Sequence, residues 1–390
     1  MEKINKTRFL IYLIMLPYLK PYNISIIPWL DSLYKLWKAI STMVLIVYVV
    51  KRKIDLTRTT KLCFVFLIIW SISFYLNNGN LTNQLQIVLS IIGLYLFSNY
   101  IRKTNIYNEF LAVMYNIAAT YILLHFITVI QNKPLFVEPV VEWERYFLGY
   151  ENYAAFIILS LCGIMFCHDI KLYKHFRYRT WILGICALMS FVIPFSVSAM
   201  VSFIIFLCVI ALSHHPKIVK IFSVKNVIII SFLFTVAIAI FRLDKLFYKI
   251  TAIFGKPALQ YREIIWPRSI AAFKLRWIIG YGGLTNRQIT EYHPISGYLL
   301  GGMTDHAHNF LLEILLMTGI IGVVIFWIYF CSTLKMIKEI KDKKCVQILL
   351  ISMSTYLLCG VFDFYLGLIY FYLLMITIEN AKYEKDREVI

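Results

Sequence analysis

The sequence predicts an all-α protein that crosses a membrane many times, and two observations carry that prediction. Of 390 residues, 60% are hydrophobic and 16% aromatic, with mean hydropathy +0.73, and apolar runs of about 16 residues or more recur at short intervals. A chain of this composition has too little polar surface to stay in water. The runs are also continuous, where the strands of a barrel would alternate. In hydrocarbon a continuous apolar segment satisfies its own amides only as a helix.

Twelve spans follow in order, at 9–27, 33–50, 61–76, 84–100, 110–130, 152–167, 180–194, 198–213, 225–241, 309–332, 346–361 and 364–379. Pro17, Lys20, Pro21 and Pro28 interrupt the first. Spans seven and eight form a nearly continuous apolar stretch parted only by "PFSVS", which predicts a tight turn between two helices. Residues 1–390 read as a single membrane domain with two longer outer connections, 131–151 and 242–308. Within the second, "RLDKLFYKITAIFGK" places Leu243, Leu246, Phe247, Ile250, Ile253 and Phe254 at helical spacing, the pattern of a helix lying in the interface. At the N-terminus "KINKTR" runs into a long apolar segment with no small-residue cleavage site, so no cleavable signal peptide is expected.

Basic residues orient the spans. With the N-terminus inside, the inner loops and both termini collect 25 of the 39 Lys and Arg, while the short outer turns 77–83, 194–197 and 361–364 hold none. That is the positive-inside pattern, and it predicts both termini in the cytoplasm. The net charge of +18 is therefore topogenic signal with some affinity for anionic lipid, and nucleic acid is not an expected partner. All eight cysteines fall in spans or inner loops, none in zinc-like spacing, and are read as small apolar core residues.

The connection 242–308 breaks the charge pattern with nine cations: Arg242, Lys245, Lys249, Lys256, Arg262, Arg268, Lys274, Arg276 and Arg287, against Asp244, Glu263, Glu291 and Asp305. A loop of roughly 60 residues is exported regardless of its charge, so the topology stands. Arg242, Lys245, Lys249 and Lys256 fit contact with lipid headgroups. Arg262 lies four residues before Trp266, so on a helix the two share a face, and Pro267 then kinks the chain. Either a cation–π contact or an arginine presented to a ligand fits that spacing.

The stretch "DHAHNFLLEILLMTGIIG" (305–322) puts titratable side chains at the mouth of a span. Asn309 is placed to cap the helix, and Gly319 with Gly322 to let another helix approach closely. Glu313, one turn inside, should face a polar cavity or pair with an interfacial arginine. His306 and Asp305 could instead join His308 and His293 around a metal, but no fourth partner is set by the sequence. No metal and no cofactor is expected.

His308-Asn309, nine further residues and then Gly319-x-x-Gly322 have the spacing found in the O-antigen ligase and polymerase superfamily. "YREIIWPRSIAAFKLRWIIGYGG" resembles that family's Arg-x-x-x-Trp segment followed by Gly-x-Gly, and "RYFLGYENYAAF" (145–156) resembles its Arg, Gly and Asn leading into a span. The three blocks keep the family's order. One departure is that relatives often carry Ser-Arg in a turn where this chain has Ser198 and Ala199, so Arg145, Arg262 or Arg268 must stand in for a missing phosphate ligand.

The resemblance implies a metal-independent glycosyltransferase in a bacterial cytoplasmic membrane. It would act on saccharides linked to polyisoprenyl diphosphate of the undecaprenyl type at the outer face, with membrane lipids around it and a flippase and a chain-length regulator as possible partners. His308 becomes the candidate base, because imidazole titrates near neutrality. Arg145, Arg262 and Arg268 become candidate diphosphate ligands, with Trp266, His306, Asn309 and Glu313 lining the substrate. A repeat-unit polymerase for capsule or exopolysaccharide is favoured by the Ile, Lys, Asn, Tyr and Phe bias of an AT-rich genome. The alternatives are a ligase that moves the glycan to a lipid, protein or wall acceptor, and a transporter or flippase. Against the last, no internal repeat is seen and, His125 apart, the span centres are uncharged.

Overall fold

A computed structural model describes residues 2–21, 24, 26–79, 81–133, 136–137, 144–239, 262–283, 307–340, 342–363 and 368–382. In chain order the helices are α1 (Glu2–Met15), α2 (Pro28–Lys51), α3 (Arg58–Leu76), α4 (Leu81–Thr104) and α5 (Tyr107–Ile130). Then come α6 (Glu151–Tyr173), α7 (Tyr178–Val192), α8 (Val197–Ala211), α9 (Pro216–Ile221) and α10 (Val224–Ala239). The last four are α11 (Arg262–Leu275), α12 (Phe310–Met336), α13 (Lys343–Cys359) and α14 (Ile369–Lys382). Between α5 and α6, strands β1 (Phe136–Val137) and β2 (Glu144–Arg145) form a short antiparallel ladder with Phe136 opposite Arg145.

Every predicted span contains a helix, but the helices are not equal. Among the described residues six, on α2, α3, α4, α5, α6 and α12, are long and apolar enough to cross a membrane. Helices α7 and α8 are apolar but only 15 residues each, about 22 Å of rise. The first span is corrected: α1 ends at Met15, ahead of Pro17, because a proline inside a helix loses an amide and meets the preceding turn. The "PFSVS" turn is present as expected between Val192 and Val197. The amphipathic stretch 242–256 lies outside the described residues.

Helix α6 is the centre of the bundle, with every residue from Ala154 to Ile170 buried, whereas in α2 at the rim only Ser41, Thr42, Leu45 and Val49 are buried and most apolar side chains face outward. A Cβ at Gly163 of α6 would collide with Ser352 of α13, and Ser352 Oγ instead donates to the Leu159 carbonyl at 2.8 Å. Small residues thus let two buried helices close on each other and share a hydrogen bond. At the end where α6 turns into α7, the buried Asp169 accepts from the Arg177 amide (2.9 Å), Arg177 Nε (2.8 Å) and Thr180 Oγ1 (2.6 Å).

Cys167 of α6 and Cys345 of α13 are buried in the core as expected, and with Cα atoms 4.8 Å apart they are joined as a disulfide. One expectation fails by tertiary proximity. Span 309–332 is not one continuous helix. Gly319 has φ 59° and ψ −168°, and α12 is broken there.

Candidate active site

The break in α12 is built by glycines from two segments. After α11 the chain doubles back, and the amides of Tyr281 and Gly282 donate to the carbonyls of Leu316 (2.6 Å) and Met317 (2.8 Å). In return the amides of Ile320 and Ile321 donate to the carbonyls of Trp277 (2.8 Å) and Ile278 (3.3 Å). Helix α3 braces the junction: Ser73 Oγ donates to the Met317 carbonyl (3.0 Å) and Asn77 Nδ2 to the Gly280 carbonyl (3.1 Å). Non-helical backbone at membrane depth is tolerated only where protein satisfies it, and here it is satisfied on both sides.

The glycines are required sterically. A Cβ on Gly319 would strike the Ile278 backbone, and one on Gly280 would strike the Leu316 carbonyl. Both also have positive φ, 59° and 68°. The helix-packing expectation for Gly319 is thus corrected: what approaches it is the turn segment 277–282. At Gly322 the atoms nearest a Cβ are those of the Thr318 side chain.

Ahead of the break, Asn309 caps α12. Its Oδ1 accepts from the amides of Leu311 (3.0 Å) and Leu312 (3.2 Å), and its Nδ2 donates to Thr235 Oγ1 of α10 (2.9 Å) and the Val361 carbonyl (3.1 Å). All four hydrogen-bonding positions of the amide are engaged, and the residue is fully buried. Sequence placed Asn309 among the substrate contacts; in the fold its side chain ties α10, α12 and the turn after α13 together.

The peptide preceding His308 is gripped from two sides. Glu313 Oε2 accepts from the Ala307 amide (2.8 Å), and Trp266 Nε1 of α11 donates to the Ala307 carbonyl (3.1 Å). Trp266 is fully buried, edge-on to Phe234. Glu313 and Trp266, both expected to touch substrate, hold backbone here. The clamp fixes His308 at φ 50°, a left-handed conformation that non-glycine residues seldom take, though His takes it more often than most.

From that position His308 Nδ1 lies 3.1 Å from Asp363 Oδ1, the His side chain 14% exposed and the Asp 2%. Asp363 follows α13 in a turn stitched to the start of α12, since the Phe310 amide donates to the Gly360 carbonyl at 2.8 Å. The sequence reading missed Asp363. Its signal was a lone carboxylate in the apolar turn 361–364, facing the same side as His308, but 55 positions separate the two.

The arginines fare differently. Arg262 opens α11, four residues before Trp266, and Arg145 sits in β2; the side chains of both lie outside the described residues, as does all of His306. With His306 go Asp305 and His293 of the metal alternative. Arg268, two residues beyond Trp266 on α11, is half-buried and makes no ion pair or hydrogen bond among the described residues. From the 145–156 block, Asn152 Oδ1 accepts from Ser196 Oγ (3.1 Å) and Ser198 Oγ (3.3 Å), so that block meets the turn in which relatives carry Ser-Arg.

The family model described as O-antigen ligase matches residues 182–327, from α7 through both halves of the break in α12. No curated protein and no solved structure is similar enough to match the chain.

Proposed function

We propose, from the match of residues 182–327 to the O-antigen ligase family model and the motifs shared with the ligase and polymerase superfamily, that this integral membrane protein polymerises lipid-linked oligosaccharide repeat units. It would move a growing glycan from polyisoprenyl diphosphate to a sugar hydroxyl of another lipid-linked unit at the outer face of the bacterial cytoplasmic membrane. The observation that carries the reading is the His308–Asp363 pair, a partly exposed imidazole on a buried carboxylate, held by a clamped backbone.

An Nδ1–H donated to the Asp363 carboxylate leaves Nε2 as the acceptor for a hydroxyl proton, and the carboxylate then stabilises the imidazolium that forms. The acceptor oxygen forms the new bond to the anomeric carbon while the bond from that carbon to the diphosphate oxygen breaks. The proton goes to His308 and the electron pair leaves with the diphosphate. Diphosphate is a good leaving group, so the remaining task is to neutralise its growing charge, which suits the guanidinium groups of Arg262, Arg268 and Arg145.

Purified full-length protein incubated with a lipid-diphosphate oligosaccharide and no ATP should lengthen the glycan. His308→Ala should insert normally and lose that elongation; retained elongation removes His308 from the mechanism. The description of the matched family supports a second reading, in which the acceptor is a lipid, protein or wall component. Supplying each acceptor class separately to the same preparation decides between them.

A further inference from the structure

Helices α3 and α4 enclose a groove of about 390 Å³, within the roughly 300–1,000 Å³ of ligand sites. Phe64, Ile68, Ser71 and Tyr75 line it along one stripe of α3, and Val88 and Ile92 of α4 face them. From Phe64 to Tyr75 the lining rises about 16 Å. Ile68 and Tyr75 are 58% and 64% exposed, so the groove opens sideways toward lipid, and what enters it comes from the bilayer.

The Tyr75 end of the groove is polar. Gln84 stands one turn before Val88 on the same face of α4 and is 2% exposed, yet its Nε2 has no hydrogen-bond partner among the described residues. A buried amide donor without an acceptor is rare and calls for an explanation. Gly283 leaves room for this side chain, since a Cβ there would come 3.2 Å from Gln84 Oε1 and 3.3 Å from the Phe74 ring. Arg276 donates to Asn77 Oδ1, three residues past Phe74, so a guanidinium stands at the same end of α3. The 19 residues of α3 rise about 28 Å, the thickness of the hydrocarbon core. That puts this end of α3 and the start of α4 at the membrane boundary, where lipid headgroups lie.

An apolar groove facing lipid, with an amide donor and a cation at its end, fits an amphiphile with an anionic head. We propose that the α3–α4 groove holds the polyisoprenyl chain of the lipid-linked acceptor, with Gln84 Nε2 and Arg276 on its diphosphate, an assignment that rests on the transfer reading above. Distance selects the acceptor over the donor. The amide of Gly282, beside Gly283, donates to the Met317 carbonyl, and Met317 follows His308 by nine residues, roughly 12 Å along α12. A donor is attacked at the carbon that carries its diphosphate, so its diphosphate has to lie beside His308. An acceptor reacts through a hydroxyl at the far end of its oligosaccharide, and a few sugars span the gap.

Full-length protein in phosphatidylcholine nanodiscs, irradiated with a polyisoprenyl diphosphate that carries a diazirine midway along its chain, should be labelled on α3 and α4. Ser71→Trp, which fills the groove, should lower that labelling about tenfold. Labelling confined to other helices overturns the groove, and loss of the label to an equal amount of phosphatidylglycerol makes it a general lipid site and overturns its assignment. Transfer assays would use a donor whose acceptor hydroxyl is blocked and an acceptor whose anomeric oxygen is replaced by methylene. There Ser71→Trp should raise KM for the acceptor about tenfold and leave that for the donor unchanged, while Ile204→Trp, an equal bulk on the 40% exposed Ile204 of α8, should change neither. A rise in KM for the donor alone, or an equal rise in Ile204→Trp, overturns the acceptor assignment. Gln84→Leu removes the unpartnered donor, so it should raise the thermal transition and yet raise KM for the acceptor about tenfold; a lower transition makes the amide structural and removes it from the site. Labelling of α3 and α4 by a parent protein that elongates nothing sinks the transfer reading and leaves the lipid-diphosphate groove standing.

Discussion

His308 owes its orientation to groups that do not touch it through its ring alone. Its φ of 50° follows from the Ala307 peptide being held by Glu313 on one side and Trp266 on the other, and its Nδ1 is met by Asp363. Replacing Asp363 by Asn keeps the shape and removes the charge, so kcat for glycan transfer should fall about 10²–10⁴-fold with KM little changed. Asp363→Glu should recover part of the loss; a structural role alone would lower yield and leave kcat per folded molecule intact. Asn309 belongs to a different category. Asn309→Ala removes the cap of α12 and two donated hydrogen bonds, and should lower stability by roughly 2–3 kcal/mol, read as an earlier thermal transition in detergent. Asn309→Asp keeps the cap, loses the donors and should lie between.

At the scale of elements, the decisive feature is the exchange of backbone hydrogen bonds between the 277–282 segment and the interrupted α12. Gly319→Ala would drive a Cβ into the Ile278 backbone at a positive φ, a strain of about 1–3 kcal/mol before any shift of the segment. We expect Gly319→Ala to cost more in transfer than Gly322→Ala, whose new methyl comes nearest the Thr318 side chain of the same helix and not the 277–282 backbone. Equal losses would show that the break is not what positions the site. Trp266→Phe removes one hydrogen bond to Ala307 and preserves most of the ring packing, so transfer should drop about tenfold while stability changes by roughly 1 kcal/mol.

Across the whole molecule, the charge distribution and the helix order make a topological prediction. Single cysteines placed at Asn78 and Asn132, at the tips that follow α3 and α5, should react with an impermeant maleimide on intact cells, in a background without the native cysteines. A cysteine at Lys174, between α6 and α7, should react only after permeabilisation. The reverse pattern would put His308 and Asp363 on the side where no lipid-linked glycan is presented. The joined pair Cys167 and Cys345 ties α6 to the start of α13, at the opposite end of α13 from Asp363, so its contribution to thermal stability is separable from the chemistry at His308.

The sequence alone determined what depends on composition and local order: helices in the twelve apolar stretches, the tight turn at 193–196, the cap at Asn309 and the histidine beside it. These are decided by transfer of side chains to lipid and by hydrogen bonds within a few residues, so they are written in adjacent positions. Tertiary structure decided the rest. Asp363 reaches His308, and the 277–282 segment opens α12 at Gly319, only because distant segments pack at one end of the bundle. Glycine in an apolar run fits a close helix pair and a broken helix equally well, and a carboxylate in a turn has no spacing rule that names its partner. What distinguished them was which backbone groups needed satisfying inside the membrane, a condition that is set once all the helices are in place.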